Sequence, residues 1–477
     1  MRALAEPDVR ERLRQFGQEQ LLRFWPELSE TERSRLLADL EGLDLALLDR
    51  LIATLVLGRQ DDRSELGEVR PIPVERLPVH ERGRRRRREA AEVGAEAIAA
   101  GEVAVVIAAG GQGTRLGFPG PKGTYPIGPV SGASLFQLHA EKILALSRRF
   151  GGLLPLFVMT SPGNYEATTA FFAAHESFGL GHVCFFRQGQ LPAVDRSTGK
   201  ILLAERGRLA LSPDGHGGTL TALAAGRPDG EASCLAVMRE LGVRTIFYLQ
   251  VDNPLTRIAE PAYLGLHRQA GADISFKVVV KQRPHEKVGL VAEVAGRPLV
   301  IEYSDLPEDL ADRRDPDGKL ELWAGNIATH VLERDFLERL VGEGAELPYH
   351  RALKRVRFVD AAGRAVEPFE ANAVKFERFI FDALPAAERY LLVEAERAAE
   401  FAPLKDATGD GSPAVVQQRL SELYASWLED AGVRVPRGED GSLEFALEIS
   451  PLFATDAEEL AGKLDPGFMV DGPLYLR

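Results

Sequence analysis

At 477 residues the chain is longer than one ordinary hydrophobic core, so two or three domains are expected. Hydrophobic residues make up 45% and charged residues 27%, the composition of an ordinary globular protein, and the net charge of −13 speaks against nucleic-acid binding through bulk electrostatics. Cys184 and Cys234 belong to no Cys-x-x-Cys or Cys/His array, which leaves a disulfide framework or zinc site without support. Met1-Arg2-Ala3-Leu4-Ala5-Glu6 lacks an apolar signal core, and no apolar run approaches the ~20 residues of a membrane span. The expectation is a cytoplasmic protein with neither a membrane nor a nucleic-acid partner.

Residues 8–58 read as helical. Leu21, Leu22, Trp25 and Leu28 fall at helix spacing, Ser29 and Glu32 form a capping box ahead of Leu36, Leu37 and Leu40, and Leu45–Leu57 repeats the pattern. Residues 59–80 read as a linker. The basic run Arg82 and Arg84–Arg88 reads as a solvated helix face before Ala90–Ala100.

From 103 to about 385, apolar strands alternate with amphipathic helices. The strands are expected at Val103–Ala109, Leu154–Thr160, Val183–Phe186, Thr245–Val251 and Ile274–Val280, and helices at Ser134–Arg149, Tyr165–Ala174 and Leu235–Leu241. That alternation implies an α/β fold with a mostly parallel sheet covered on both faces, whose ligands bind beyond the carboxyl ends of the strands. Turn signals from 395 onward suggest a small, β-rich C-terminal domain. The expected division is a helical lobe and linker (1–90), an α/β domain (91–394) and a C-terminal domain (395–477).

The chemistry concentrates at strand ends. Gly110-Gly111-Gln112-Gly113-Thr114-Arg115-Leu116-Gly117 follows the first strand and runs on to Pro121-Lys122-Gly123. Glycines let backbone N–H groups turn around a polyanion, and Arg115 and Lys122 bring cations where phosphates would lie. The spacing is neither that of the P-loop nor that of the dinucleotide fingerprint. Asp252 follows Thr245–Val251, where a carboxylate suits Mg²⁺ shared with substrate phosphates or caps the Asn253-Pro254 turn. Gly215-His216-Gly217-Gly218 is a second glycine turn. Phe379 and Phe381 alternate, as on one face of an extended segment, bordering either core or a sugar. Gly289 and Asn326 lie near bends, suited to hydroxyl recognition or to turn chemistry, and Lys405 sits in Pro403-Leu404-Lys405-Asp406.

Several of these segments, in order, resemble one family. The glycine loop, Phe185-Phe186-Arg187-Gln188-Gly189, Val251-Asp252-Asn253, Val288-Gly289, Glu302-Tyr303-Ser304, Ala324-Gly325-Asn326, Phe379-Ile380-Phe381, Pro403-Leu404-Lys405 and Glu448-Ile449-Ser450-Pro451 resemble the eukaryotic-type UDP-sugar pyrophosphorylases, among them the UDP-N-acetylglucosamine pyrophosphorylases. The resemblance implies a Rossmann-like nucleotidyltransferase core, UTP and a sugar 1-phosphate as partners, and Mg²⁺ as cofactor. It implies phosphate handling by Arg115, Lys122 and Lys405, nucleotide contacts from Gly110, Gly111, Gly113, Thr114, Gln188 and Gly217, and a metal on Asp252. Sugar contacts are implied for His216, Gly289, Glu302, Asn326, Phe379 and Phe381. One position departs from the pattern: the acetylated-sugar enzymes carry Asn where His216 stands, whereas the glucose-type enzymes carry Gly-His-Gly. The resemblance thus implies uridylyl transfer from UTP to N-acetylglucosamine 1-phosphate with release of pyrophosphate; glucose or galactose 1-phosphate is the rival substrate, and a non-catalytic nucleotide binder or scaffold the rival from another class.

Overall fold

Val103–Ala108 is a strand because its side chains are apolar on both faces; those of residues 103–107 are completely buried. In the computed structural model, which describes residues 6–58, 67–228, 230–344 and 346–477, it lies inside a ten-stranded mixed sheet. In chain order the sheet strands are β1 (Val69–Arg70), β2 (Val103–Ala108), β3 (Leu156–Thr160), β4 (Val183–Arg187), β5 (Thr245–Gln250), β6 (Ile274–Val280), β7 (Leu290–Val294), β8 (Arg297–Ile301), β9 (Ala324–Glu333) and β10 (Tyr390–Glu394). Strands β5, β2, β3 and β4 run parallel side by side. The long β9 runs antiparallel to β5 on one side and to β6 on the other, and β6 pairs in parallel with β10. The β7–β8 hairpin, edged by β1, joins at the beginning of β9.

This order decides where chemistry can gather. Parallel strands end at one edge, and the start of an antiparallel neighbour lies at that edge too. The ends of β2 and β5, the start of β9 and the end of β6 therefore share an edge, with Tyr248 opposite His330 and Val280 opposite Ala324 setting the register. The five strands expected from the apolar runs are all present within two residues at each end, as are the three helices, at Leu135–Phe150, Tyr165–Ala174 and Cys234–Glu240.

Two compact units emerge, and they cut across the linear division at 90/91 and 394/395. The larger comprises 66–187, 219–345 and 383–477, among their described residues, and contains the whole sheet. Residues 395–477 belong to it because their main element, the helix Pro413–Asp430, buries Val416, Leu420, Tyr424 and Leu428 in the same core cluster as β2 and β3. The β-rich character expected there is corrected: strands contribute only the short pair Leu447–Ile449 and Leu474–Leu476. The turn signals were real, but they bracket a helix whose apolar spacing is helical.

The basic run lies on the helix Glu81–Ala99, with Arg84 and Arg88 paired to Glu81 and Arg86 to Glu75. Arg87 departs from the solvated face and reaches the buried Glu260 at 3.3 Å. Gly94 of this helix and Gly265 of the helix Pro261–Ala270 lie where the two elements touch: a Cβ on either would meet a backbone oxygen of the other element at 1.9 or 1.7 Å.

The smaller unit joins the described residues of 1–65 to 188–218 and 346–382. Its N-terminal helices Glu6–Gln15, Glu30–Glu41 and Leu45–Leu51 pack Leu13, Leu36 and Leu48 against Val194, Ile201 and Phe376. The capping box forms as expected, with Glu32 Oε2 accepting from the Ser29 N–H at 2.8 Å. Leu21–Leu28 differs from the helix expected there: Pro26 has no N–H to donate, and the stretch folds as two short 3₁₀ turns, Glu19–Leu22 and Trp25–Glu27. Of the expected linker, residues 59–66 lie outside the described residues, and Val69–Arg70 pairs with β7 in the larger unit.

Candidate active site

The glycine-rich loop leaves β2 and folds back on itself. Lys122 N–H donates to the Gly111 carbonyl at 3.0 Å, and Gly113 N–H donates to that of Gly120 at 2.9 Å. The Asn164 amide donates to the carbonyls of Ala109 and Gly111 and so pins the loop where it departs the strand. Thr114 and Arg115 form an exposed 3₁₀ turn; Arg115 Nη1 stands 3.7 Å from Asp406, and its carbonyl accepts from Ala407 N–H. Gly111 is exposed, with nothing near the place a Cβ would occupy.

Beyond β5, Asp252 is buried between two ammonium groups. Lys122 Nζ lies 3.1 Å and Lys405 Nζ 2.7 Å from the same carboxylate oxygen, Oδ2. Burial works against the ionised form, but Lys405 and Lys122 outweigh it and hold the carboxyl well below the usual carboxylate range. Lys122 is as buried as Asp252, whereas Lys405 is 43% exposed. One carboxylate with two cations beside it is a place for more negative charge to enter.

The turn around Asp252 is held from the helix Leu135–Phe150. His139 Nε2 lies 3.0 Å from the Val251 carbonyl, and Lys142 Nζ donates to the carbonyl of Thr256 at 3.0 Å and to that of Pro254. Complete burial lowers the His139 pKa to about 3, so the ring is neutral and acts as a donor.

At the same sheet edge, Gly289 precedes β7, Glu302 follows β8 and Asn326 lies in β9. Asn326 N–H donates to the Gly289 carbonyl at 2.8 Å, and a Cβ on Gly289 would lie 3.3 Å from Glu302 Oε1. These three sugar candidates are thus brought together.

The remaining candidates lie in the smaller unit. Gln188 is buried just after the end of β4. His216 packs against two rings, 5.3 Å from Phe379 and 5.6 Å from Phe381 by centroid, and the phenylalanine rings stack on each other at 5.0 Å. The reason expected for their proximity is corrected. The strand Ala373–Arg378 ends before Phe379, and Ile380–Ala386 is a 3₁₀ turn, so strand alternation does not align them. Gly217 has no room for a Cβ, which would lie 2.6 Å from the backbone of Arg378 and Phe379. Two residues that the motifs did not reveal hold this turn: Asp214 accepts Arg378 N–H at its carbonyl, and its carboxylate forms a buried ion pair with the Arg378 guanidinium. Neither has a local signal, because each is an ordinary charge until the chain brings the other to it.

Known proteins are similar to this chain in sequence and fold. Residues 62–421 match the family described as UTP–glucose-1-phosphate uridylyltransferase. The chain belongs to that family. The UDP-N-acetylglucosamine pyrophosphorylase of Saccharomyces cerevisiae is 35% identical, with 95% of this chain and 96% of that protein covered. The human UDP-N-acetylhexosamine pyrophosphorylase-like protein 1 is 37% identical, with 99% and 97% covered. The crystal structure of the Trypanosoma brucei uridine diphosphate N-acetylglucosamine pyrophosphorylase superposes with a TM-score of 0.82 at 26% identity, covering 99% and 98%. For this uridylyltransferase-family chain, the likeness extends to both compact units.

Among the described residues no group of three or more His, Cys, Asp or Glu side chains is placed to hold a metal by itself, and no helix is long and apolar enough to cross a membrane.

Proposed function

We infer that this chain is a nucleotidyltransferase that joins UTP to a sugar 1-phosphate, N-acetylglucosamine 1-phosphate foremost, and releases pyrophosphate. The observation that carries the reading is the pair of lysines on one buried carboxylate at the strand edge beside the glycine-rich loop. Relatives of near full-length coverage support the acetylated sugar.

In the reaction an oxygen of the sugar phosphate attacks the α-phosphorus of UTP in line. The new P–O bond forms as the bond to pyrophosphate breaks, and the electron pair leaves with pyrophosphate. The attacking oxygen is already anionic, so no general base is required. What the protein must supply is approach of two anions and neutralisation of charge in the transition state. Lys122, with Arg115 on its exposed turn, would hold the triphosphate of UTP, with backbone N–H groups at Gly110, Gly111 and Thr114; the Gly113 N–H is taken by the Gly120 carbonyl, so Gly113 would serve by closing the loop. Lys405 would swing between Asp252 and the phosphates, which its partial exposure permits. Gln188 and the Gly217 backbone would contact the nucleotide, and Gly289, Glu302 and Asn326 the sugar hydroxyls.

The donor set fits magnesium: both lysines take Oδ2 of Asp252, which leaves Oδ1 for a hard cation that gains its other ligands from phosphates and water. Bound there, magnesium would neutralise phosphate charge. A cytoplasmic location forms part of this reading, supported by two buried thiols, Cys184 and Cys234, of the kind a reducing compartment preserves.

His216 favours a second substrate class, the unacetylated hexose 1-phosphates, because an imidazole hydrogen-bonds a hydroxyl as readily as an amide. Pyrophosphate release from UTP with a panel of sugar 1-phosphates tests both. Release with N-acetylglucosamine 1-phosphate supports the reading; release only with unacetylated sugars changes the sugar and keeps the chemistry; no release with any of them overturns it.

A further inference from the structure

Lys405 and Asp252 are 153 residues apart in the chain, yet they meet at 2.7 Å. The segment bearing Lys405 is not a strand, so no ladder fixes it there. A set of ties does. Leu404 N–H donates to the Asp252 carbonyl at 2.8 Å. The Asn253 amide bonds the same segment twice: its Nδ2 donates to the Glu400 carbonyl at 2.7 Å, and its Oδ1 accepts from Ala402 N–H at 3.0 Å. One side chain thereby makes the donor–acceptor pairing that a neighbouring strand would have made. The Glu400 carboxylate then bonds the ammonium of Lys277, whose other partner is Glu260 at 2.6 Å. Lys277 is fully buried in the middle of β6.

Stability does not account for this cluster. A buried ion pair loses the hydration of both charges, and well-packed apolar residues in its place are often as stable or more so. What the cluster supplies is a defined place. Lys277 is set by the sheet, Glu400 by Lys277, the chain from Glu400 to Ala402 by Asn253, and Leu404 and Lys405 by backbone bonds to Asp252 and Gly411.

We propose that Asn253 and the Glu400–Lys277 ion pair are positioning residues: they hold Lys405 on Asp252 and so set the cation geometry of the phosphate site. The proposal rests on the reading of Lys405 as a phosphate-binding group; the geometry of the ties does not.

Asn253→Asp tests it, because it keeps shape and acceptor but turns the donor facing the Glu400 carbonyl into an oxygen. Two readouts apply. The first, independent of turnover, is acylation of Lys405 by acetic anhydride, followed by peptide mass spectrometry. The variant should label faster at Lys405, which is no longer held in its ion pair. The second is kinetic. kcat should fall roughly 10- to 100-fold, the scale of an ångström-sized misplacement, with KM for UTP within about threefold of wild type. Asn253→Asp combined with Lys405→Ala should be no slower than Lys405→Ala alone, since the strap acts through that lysine. Unchanged labelling, or kinetic losses that multiply, overturns the proposal. Glu400→Gln provides the same test with a smaller perturbation if Asn253→Asp does not fold. Should the wild type release no pyrophosphate from any sugar 1-phosphate, the reading of the reaction fails, while the labelling arm still decides whether the strap holds Lys405.

Discussion

The charge cluster around Asp252 and the turn around His216 are built on opposite principles. Around Asp252 the structure buries charge, and bonds from Lys122, Lys405, His139, Lys142 and Asn253 fix a single turn. Around His216 it stacks apolar rings against a glycine turn that admits no side chain. Electrostatic catalysis needs charges preorganised to fractions of an ångström, because their benefit depends on geometry held before substrate arrives. Selection among sugars needs a shaped apolar surface, and burying one methyl group yields only modest discrimination. The first arrangement should therefore fail steeply when altered, the second gradually.

The largest effect should come from Asp252→Asn. Turnover should fall roughly 10³-fold, the several kcal/mol that metal-assisted charge stabilisation supplies, and the magnesium requirement should rise while the fold survives. A magnesium titration of initial rates checks this, and an unchanged titration removes Asp252 from the ligand set.

Lys122→Ala should slow turnover at saturating UTP by roughly 10²–10³-fold, as for deletion of one transition-state donor. Near wild-type turnover would dissolve the contrast from the phosphate side.

Gly217→Ala attacks the other region. The added Cβ forces apart the turn and the Arg378–Phe379 backbone, and overpacking of this kind costs about 1–3 kcal/mol. We expect KM for UTP, and through the displaced His216 also KM for the sugar 1-phosphate, to rise roughly tenfold or more on that scale, with a smaller change in kcat, as steady-state kinetics with each substrate varied in turn would show.

His139 gives the phosphate region a pH signature. Its pKa in the folded protein is about 3, against roughly 6.5 when unfolded. Between those values the unfolded chain binds the extra proton, so stability falls as pH drops through that window, by at most about 1.4 kcal/mol per pH unit. Denaturant unfolding from pH 7 to 4 should show this slope, and His139→Gln should flatten it. An identical slope in the variant would assign the acid sensitivity to other groups.

The smallest effect is expected from His216→Asn, a shift in the kcat/KM ratio toward N-acetylglucosamine 1-phosphate of about tenfold or less. No shift would remove this turn from sugar choice and leave it to the stacked rings and the Gly289, Glu302 and Asn326 group.

Much of the fold was legible in the residues alone. Val103–Ala108 and Thr245–Gln250 are apolar on both faces, which marks a buried strand wherever it occurs, and Ser29 with Glu32 announces a helix start by local bonding. The glycine loop was legible as a tight turn for the same reason: its glycines and its two cations stand close together in the chain. Reading failed where competing local signals overlapped. Turn residues near 410 and 438 masked the apolar spacing of Pro413–Asp430, and the leucine spacing of 21–28 hid the effect of Pro26.

What the sequence by itself determined is the buried strands and amphipathic helices with clean apolar runs, the family and the types of group available for chemistry. Tertiary structure decided which of those groups meet. Lys122, Asp252 and Lys405 are separate charges in the chain, and become one site only because β2 and β5 are parallel neighbours and the segment after β10 is strapped beside them. The pairing of Asp214 with Arg378, and of Lys277 with Glu400, has the same origin. Periodicity records which face of an element is apolar; it carries no record of the order in which elements pack, and buried charges take their partners from that order.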